Sequence, residues 1–360
     1  MTRRSIPADE VRFFSGSSNL QLAERIATEV GAPLDAAQIG RFSNDNLYIQ
    51  LGASMRYRRV YIVQSLSTPV NDHLMELLMM LNIARSSAAS EVTAIIPYYS
   101  FARSDKKNAP RVSIDARLVA DLLKTAGATH VISMTLHSPQ VEGFFSIPID
   151  ALSSRAVFNK YLSDSDLSNS IIIASNLDQT RPAVRLANAL NVPVAASTME
   201  RDSDNRTTTT GLIGNQLRGY KRALIYADEI ATSGSTLALS EMLIKEGVEE
   251  IRILCTHGVF VRGAIEKLAA IPQITEVITT NTVYIPSEKR HPKLTVLSVA
   301  GVFADAIRYN FNQESIADLF VFGGESVEAL HGSSTTEAPP PLMEKIKTIL
   351  KNKKQKAKKK

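Results

Sequence analysis

The sequence predicts an α/β protein built from two similar units, each a mainly parallel sheet flanked by helices. Three observations carry that expectation. Short apolar, β-branched runs alternate with segments of helical periodicity almost from the start of the chain. The second half repeats the pattern of the first, as expected of sheets covered by helices. At 360 residues and 44% apolar composition, the chain can bury two cores of roughly 100–200 residues each.

In order, Val11–Phe14 reads as a strand, and Asn19 caps an amphipathic helix LQLAERIATEV that Gly31 ends. Strands follow at Leu47–Gln50 and Val60–Gln64. The helix NDHLMELLMMLNIA comes next, its Met75–Met80 run expected to face the core. Then come the strand EVTAIIPYY, the helix DARLVADLLKTAGA and the strand HVISMTL. The second half gives strands SIIIAS, RALIYA and EIRILCT, with helices at RPAVRLANAL and from near Gly234. Ser163–Asn169 is polar and turn-rich, a linker candidate, and Asp202–Gly211 is a mobile-loop candidate. Beyond Gly324 periodicity fades into HGSSTTEAPPP. The expected domains are therefore 1–152 and 153–324, with a final helix near 300–313 as a candidate to pack on the first. Residues 325–360 form a tail expected to be disordered.

The net charge of +5 belongs to that tail. Its last twenty residues hold nine Lys and one Glu, and removing their +8 from +5 leaves −3. A run such as KNKKQKAKKK repels itself and buries nothing, so a solvated tail is expected, with weak nucleic-acid contact as the alternative. The first residues carry no apolar stretch of signal-peptide length, and no run of about 18 apolar residues occurs, so a cytoplasmic protein without a membrane partner is expected. Cys255 is the sole cysteine, which excludes an internal disulfide and a thiolate zinc cage.

The most informative segment is Leu224–Thr236. A buried strand delivers Asp228 and Glu229, and a turn through Thr232, Ser233 and Gly234 opens a helix at Ser235 and Thr236. Unpaired N–H groups at such a helix start, with the neighbouring hydroxyls, suit a phosphate dianion. Two acids at a strand's C-terminal end can accept hydrogen bonds from sugar hydroxyls. An ordinary capped helix is the plainer alternative, but it needs no adjacent pair of acids upstream.

Asp-Glu-x-x-Thr-Ser-Gly-Ser-Thr resembles the loop that binds phosphoribosyl diphosphate (PRPP) in type I phosphoribosyltransferases and PRPP synthetases. Aligned to most synthetases without a gap, it puts Ala227 and Ala231 on acidic positions; one chain leaves the register open. Further signatures resemble the ribose-phosphate diphosphokinase (PRPP synthetase) family in order along residues 11–322. They include Ser15-Gly16-Ser17-Ser18-Asn19, Arg41-Phe42-Ser43, Pro97-Tyr98-Tyr99 with Ala102-Arg103 and Asp105, Leu136-His137 with Gln140, Gly143-Phe144-Phe145, and Thr256-His257.

That resemblance implies two phosphoribosyltransferase-type domains and Mg²⁺-dependent transfer of diphosphate from ATP to ribose 5-phosphate. It further implies a homo-oligomer of hexamer type. It gives His137 a metal or phosphate role, Arg103 and Asp105 a nucleotide-loop role, and Phe42 the wall against adenine. His73, His130, His257, His291 and His331 share no ligand spacing and read as structural or surface residues.

The chain departs from the family at catalytic positions. Asn44 and Asn46 follow Phe42 where the family has acids that accept adenine's amino hydrogens, and Asn176 replaces a metal-holding Asp. Met199-Glu200-Arg201 aligns with Lys-Arg-Arg, so Arg201 is left as the catalytic cation. The alternative function is therefore a catalytically impaired paralogue, a regulatory or associated subunit in a hetero-oligomer with an active synthetase.

Overall fold

The computed structural model describes residues 6–201, 207–215, 217 and 219–319, apart from the side chains of residues 199–201, 207, 208 and 318. The first half forms β1 (Val11–Ser15), α1 (Leu20–Val30), β2 (Ala37–Arg41), β3 (Leu47–Leu51), β4 (Arg59–Val63), α2 (Val70–Ser86), β5 (Glu91–Ile96), α3 (Asp115–Ala126), β6 (His130–Met134) and β7 (Ile149–Leu152). The second half forms α4 (Arg155–Leu162), β8 (Ser170–Ala174), α5 (Thr180–Leu190), β9 (Val194–Arg201), β10 (Thr207–Gly214), β11 (Arg222–Ile230), α6 (Gly234–Lys245), β12 (Glu250–Gly258), α7 (Ala264–Ala269), β13 (Ile274–Thr280), β14 (Leu294–Leu297) and α8 (Ala300–Asn312).

Runs such as Ser170–Ala174 are buried along their whole length, which requires helices on both faces of their sheet. Five strands in the order β1-β4-β5-β6-β7 are all parallel. Seven strands in the order β10-β9-β8-β11-β12-β13-β14 are parallel except for the antiparallel β9–β10 edge. β2 and β3 pair separately as an antiparallel hairpin.

Helix starts and stops follow local chemistry. Asn19 accepts a bond from the Leu22 N–H at the start of α1, and Gly31 closes it at φ 87°, a left-handed conformation that favours glycine. Leu22, Ile26 and Val30 then form one apolar stripe. That stripe meets Phe13, Tyr61, Phe303 and Ile307 in one core, so the last described α-helix, α8, covers the first sheet. Asn310 on α8 donates from Nδ2 to His130 Nδ1 at 2.8 Å.

Several expectations are corrected. Ser163–Asn169 is not the link between the sheets, because it follows α4, whose Phe158 and Leu162 already sit in the second sheet's core. The Met75–Met80 run is not a core face as a whole: Met75 is 50% exposed and Met80 is buried, since a helical turn carries the run around the helix. The strand begun at Glu91 stops at Ile96, before Pro97, which has no N–H to give a ladder. Part of the expected loop 202–211 is strand, since β10 begins at Thr207 and pairs back on β9. The tail 325–360 and His331 lie outside the described residues.

Phe303→Ala should lower stability by about 3–5 kcal/mol, because the ring is fully buried between α8 and the first sheet. Urea unfolding of the variant would measure it. A loss below about 1 kcal/mol would contradict this packing.

Candidate functional site

β11 lies between β8 and β12 in the second sheet, parallel to both. Its C-terminal end carries Asp228 and Glu229, and the chain turns through Ala231–Ser233 into α6. Ser233 sits at φ 67° and is buried, while Thr232, Gly234 and Ser235 are exposed and Thr236 is buried. The first N–H groups of α6 have no carbonyl within the helix to bond. A Cβ built on Gly234 meets nothing within 4 Å, so the space over the turn is open.

Asp228 and Glu229 are met from the first sheet. β5 ends and leads to Tyr98 and to Arg103, which closes a single 3₁₀ turn, Ser100–Arg103. β6 ends at Met134, Thr135 turns at φ 46°, and His137 follows. His137 Nδ1 lies 2.5 Å from Asp228 Oδ2. Arg103 lies 3.2 Å from Glu229 Oε1, and the Tyr98 hydroxyl donates to Glu229 Oε2 at 3.0 Å. Ser138 donates to Asp105 Oδ2 at 2.6 Å beside them.

These contacts set the electrostatics. The hydrogen bond that His137 donates to Asp228 raises the His137 pKa above the ordinary histidine value, although burial opposes it. Burial pushes the Asp228 carboxyl up, but the bond and charge of His137, with Arg103 beyond, outweigh it and hold that carboxyl below its ordinary value. Glu229 goes the other way: burial raises it, and Arg103 recovers only part of the shift. The arrangement is a histidine–carboxylate pair in which each partner favours the other's charged form, beside a carboxyl that is harder to ionise.

The other candidate residues lie elsewhere. Phe42 is 56% exposed on the β2–β3 hairpin, edge-on to Tyr48 at 5.4 Å between ring centroids. Asn44 accepts from the Asn46 N–H at 3.3 Å, which closes the hairpin turn locally. Asn176 Oδ1 accepts from the Gln179 N–H at 3.0 Å and so caps a 3₁₀ turn at the end of β8. Arg201 ends β9 in backbone register with Thr207, and its side chain lies outside the described residues.

Comparison with known proteins gives the family and the fold. Residues 11–127 match the N-terminal domain of ribose phosphate pyrophosphokinase, and residues 208–321 match the phosphoribosyl synthetase-associated domain. A ribose-phosphate pyrophosphokinase of Deinococcus radiodurans is 42% identical over 312 residues, covering 85% of this chain and 97% of that one. The chain belongs to the ribose-phosphate pyrophosphokinase family. A pyrophosphokinase of Caldanaerobacter subterraneus is 38% identical over 313 residues, covering 87% of this chain and 98% of its own. The crystal structure of phosphoribosylpyrophosphate synthetase from Mycobacterium smegmatis superposes with a TM-score of 0.77 at 32% identity, covering 84% of this chain and 99% of that one. The fold is thus the family's two-domain, phosphoribosyltransferase-type architecture.

Two residues of the cluster escape sequence reasoning. Tyr98 belongs to a family-like signature, but its role depends on a partner 131 positions away, which no local pattern shows. His257, expected to be a structural or surface residue, is buried where the two sheets meet, its ring tilted 45° against that of Tyr98 with centroids 4.8 Å apart. The adjacent Thr-His pair was the one available signal.

The His137–Asp228 pair predicts a pH window. A raised histidine pKa gives stability that is present below about pH 6.5 and lost as pH rises through the folded value. A depressed carboxyl pKa gives stability that is present above about pH 4 and lost as pH falls through the folded value. The stability difference between the protein and Asp228→Asn should therefore be largest between those limits. In the variant, NMR titration should place His137 below its pKa in the unsubstituted protein. An unmoved His137 would refute the pairing.

Proposed function

We propose that the chain binds ribose 5-phosphate on the Asp228–Thr236 loop and transfers diphosphate to it from ATP, giving PRPP and AMP for nucleotide biosynthesis. The observation that carries this reading is the meeting of His137 and Arg103 from one sheet with Asp228 and Glu229 from the other. Cations suited to a triphosphate stand against acids suited to ribose hydroxyls. In the reaction the C1 oxygen of the sugar bonds to the β-phosphorus as the bond to the α–β bridging oxygen breaks. AMP leaves with that oxygen, and the C1 hydroxyl gives up its proton. The 5-phosphate would rest over Thr232, Ser233, Gly234, Ser235 and Thr236, held by backbone N–H groups and hydroxyls. His137 and Arg103 would stabilise charge on the transferring group, as fixed cations do in phosphoryl transfer.

Nucleotide binding is assigned to Arg103 and Asp105, with Phe42, Asn44 and Asn46 on the hairpin as the base-facing set. Mg²⁺ is the implied metal, and His137 and Asn176 are the residues proposed to hold it. With His137 Nδ1 bonded to Asp228 its Nε2 would face the metal, and Asn176 Oδ1, which accepts from the Gln179 N–H, would offer one neutral oxygen where magnesium prefers several. No group of three or more His, Cys, Asp or Glu suited to a metal gathers among the described residues. Magnesium is then best written as part of the MgATP substrate.

A second reading is a catalytically impaired, regulatory or associated subunit of an active synthetase. It is favoured by the capping role of Asn176, by Met199 where the family has Lys, and by Asn46 where it has an acid. A hexamer-type homo-oligomer goes with the first reading and a hetero-oligomer with the second. Cytoplasmic placement fits both, and no described helix is long and apolar enough to cross a membrane. Weak nucleic-acid contact through the Lys-rich tail is a further proposal from charge alone.

AMP formation from ATP and ribose 5-phosphate by the purified protein, abolished by Asp228→Ala, is the outcome expected of the enzyme. Thermal stabilisation by ribose 5-phosphate without AMP formation would replace it with the subunit reading. Met199→Lys should raise turnover by about a hundredfold, the scale of one well-placed transition-state donor. No gain would mean that residue 199 does not stand at the reacting phosphate.

A further inference from the structure

We propose that His257 is a positioning residue for the acid pair, holding from one ring both first-sheet groups that meet Asp228 and Glu229. This rests on the reading that the Asp228–Thr236 loop takes ribose 5-phosphate.

His257 lies near the end of β12, next to β11, in register with Glu229. Its Nε2 is 3.1 Å from the Thr135 carbonyl oxygen, and its Nδ1 is 2.9 Å from the Thr282 hydroxyl. A carbonyl can only accept, so Nε2 carries the proton. The Thr282 hydroxyl also lies 3.1 Å from the Thr256 carbonyl, but the Thr280 hydroxyl serves that carbonyl at 2.8 Å, so Thr282 can give its one proton to Nδ1 of a neutral ring. Burial agrees, lowering its pKa to about 4.

Each contact leads to one half of the acid pair. Thr135 sits at φ 46°, two residues before His137, so the bond to its carbonyl pins the turn that aims His137 at Asp228. The ring lies against that of Tyr98, 4.8 Å between centroids, and Tyr98 donates to Glu229. The neighbouring Thr256 hydroxyl lies 3.4 Å from that of Thr135, a second bond between the halves beside the first. Burial is what disfavours a second proton on this ring, outweighing the nearby Asp228 charge and the Thr135 carbonyl, which favour one.

The test uses the full chain and three variants: His257→Phe, which keeps the ring contact and loses both bonds; His257→Gln, which can donate to Thr135 and accept from Thr282; and Tyr98→Phe, which removes the bond to Glu229 alone. Three quantities are read: thermal stability, the ¹³C titration of the Glu229 carboxyl, and the Kd for ribose 5-phosphate. A positioning role predicts that His257→Phe raises the Glu229 pKa in the direction Tyr98→Phe does and weakens ribose 5-phosphate about tenfold, the scale of one lost hydrogen bond. His257→Gln should restore most of both effects. Adding Tyr98→Phe to His257→Phe should change Glu229 little further, because both act through one bond.

A merely structural residue would lower the melting temperature in His257→Phe and His257→Gln alike, leaving the Glu229 titration and Kd in place, and that result overturns the proposal. Should His257→Phe fail to fold, ¹⁵N shifts of His257 in the unsubstituted protein and in Thr282→Val decide instead. The Nε2–H tautomer in the former, with the Glu229 pKa moved in the latter, supports the role, and any other tautomer or an unmoved Glu229 overturns it. If the unsubstituted protein binds no ribose 5-phosphate, the proposed function fails, while the Glu229 titration still decides the role of His257.

Discussion

Asp228 is 3% exposed, and a carboxylate taken so far out of water is stable only with a partner. Its partner, His137, comes from the turn after β6 in the first sheet. Removing one side of such a pair is costly, since it leaves a buried charge uncompensated. The first sheet must therefore present the ends of β5 and β6 to the end of β11, and Thr135 and Arg103 take up the positions that allow it. Glu229 follows from the same constraint, with Arg103 and Tyr98 closing around it.

Seen from this contact, the departures from the family pattern have a common placement. Asn176 is bonded into a turn at the end of β8, and Asn44 is bonded into the hairpin that carries Phe42. Ala227 is buried in β11 and Ala231 lies just past its end, so neither adds charge beside the acid pair. None of these residues takes part in the His137–Asp228 or Arg103–Glu229 contacts.

The alternation of apolar runs and helical stripes made the two parallel sheets legible, because strands buried on both faces must be apolar throughout. Asp228, Glu229 and the turn to Thr236 were legible because two adjacent acids before a hydroxyl-rich helix start serve no packing purpose. Pairings between distant positions were not. That Asp228 belongs with His137 and Glu229 with Tyr98 depends on how two sheets dock, which no local pattern encodes. Met75 and the segment 163–169 were misplaced for the opposite reason: local composition was followed where the packing of α2 and α4 decided. The neutral, enclosed state of His257 likewise arises from three partners drawn from three separate stretches of chain.

The central claim is that the open space above Gly234 receives the phosphate of a ribose whose hydroxyls reach Asp228 and Glu229. Crystals of the protein grown with ribose 5-phosphate test it directly through difference density. The account predicts phosphate density against the backbone of Thr232–Thr236, with the sugar ring directed toward the two acids. Density for the sugar phosphate at any other place on the chain, or none at saturating concentration, would contradict it.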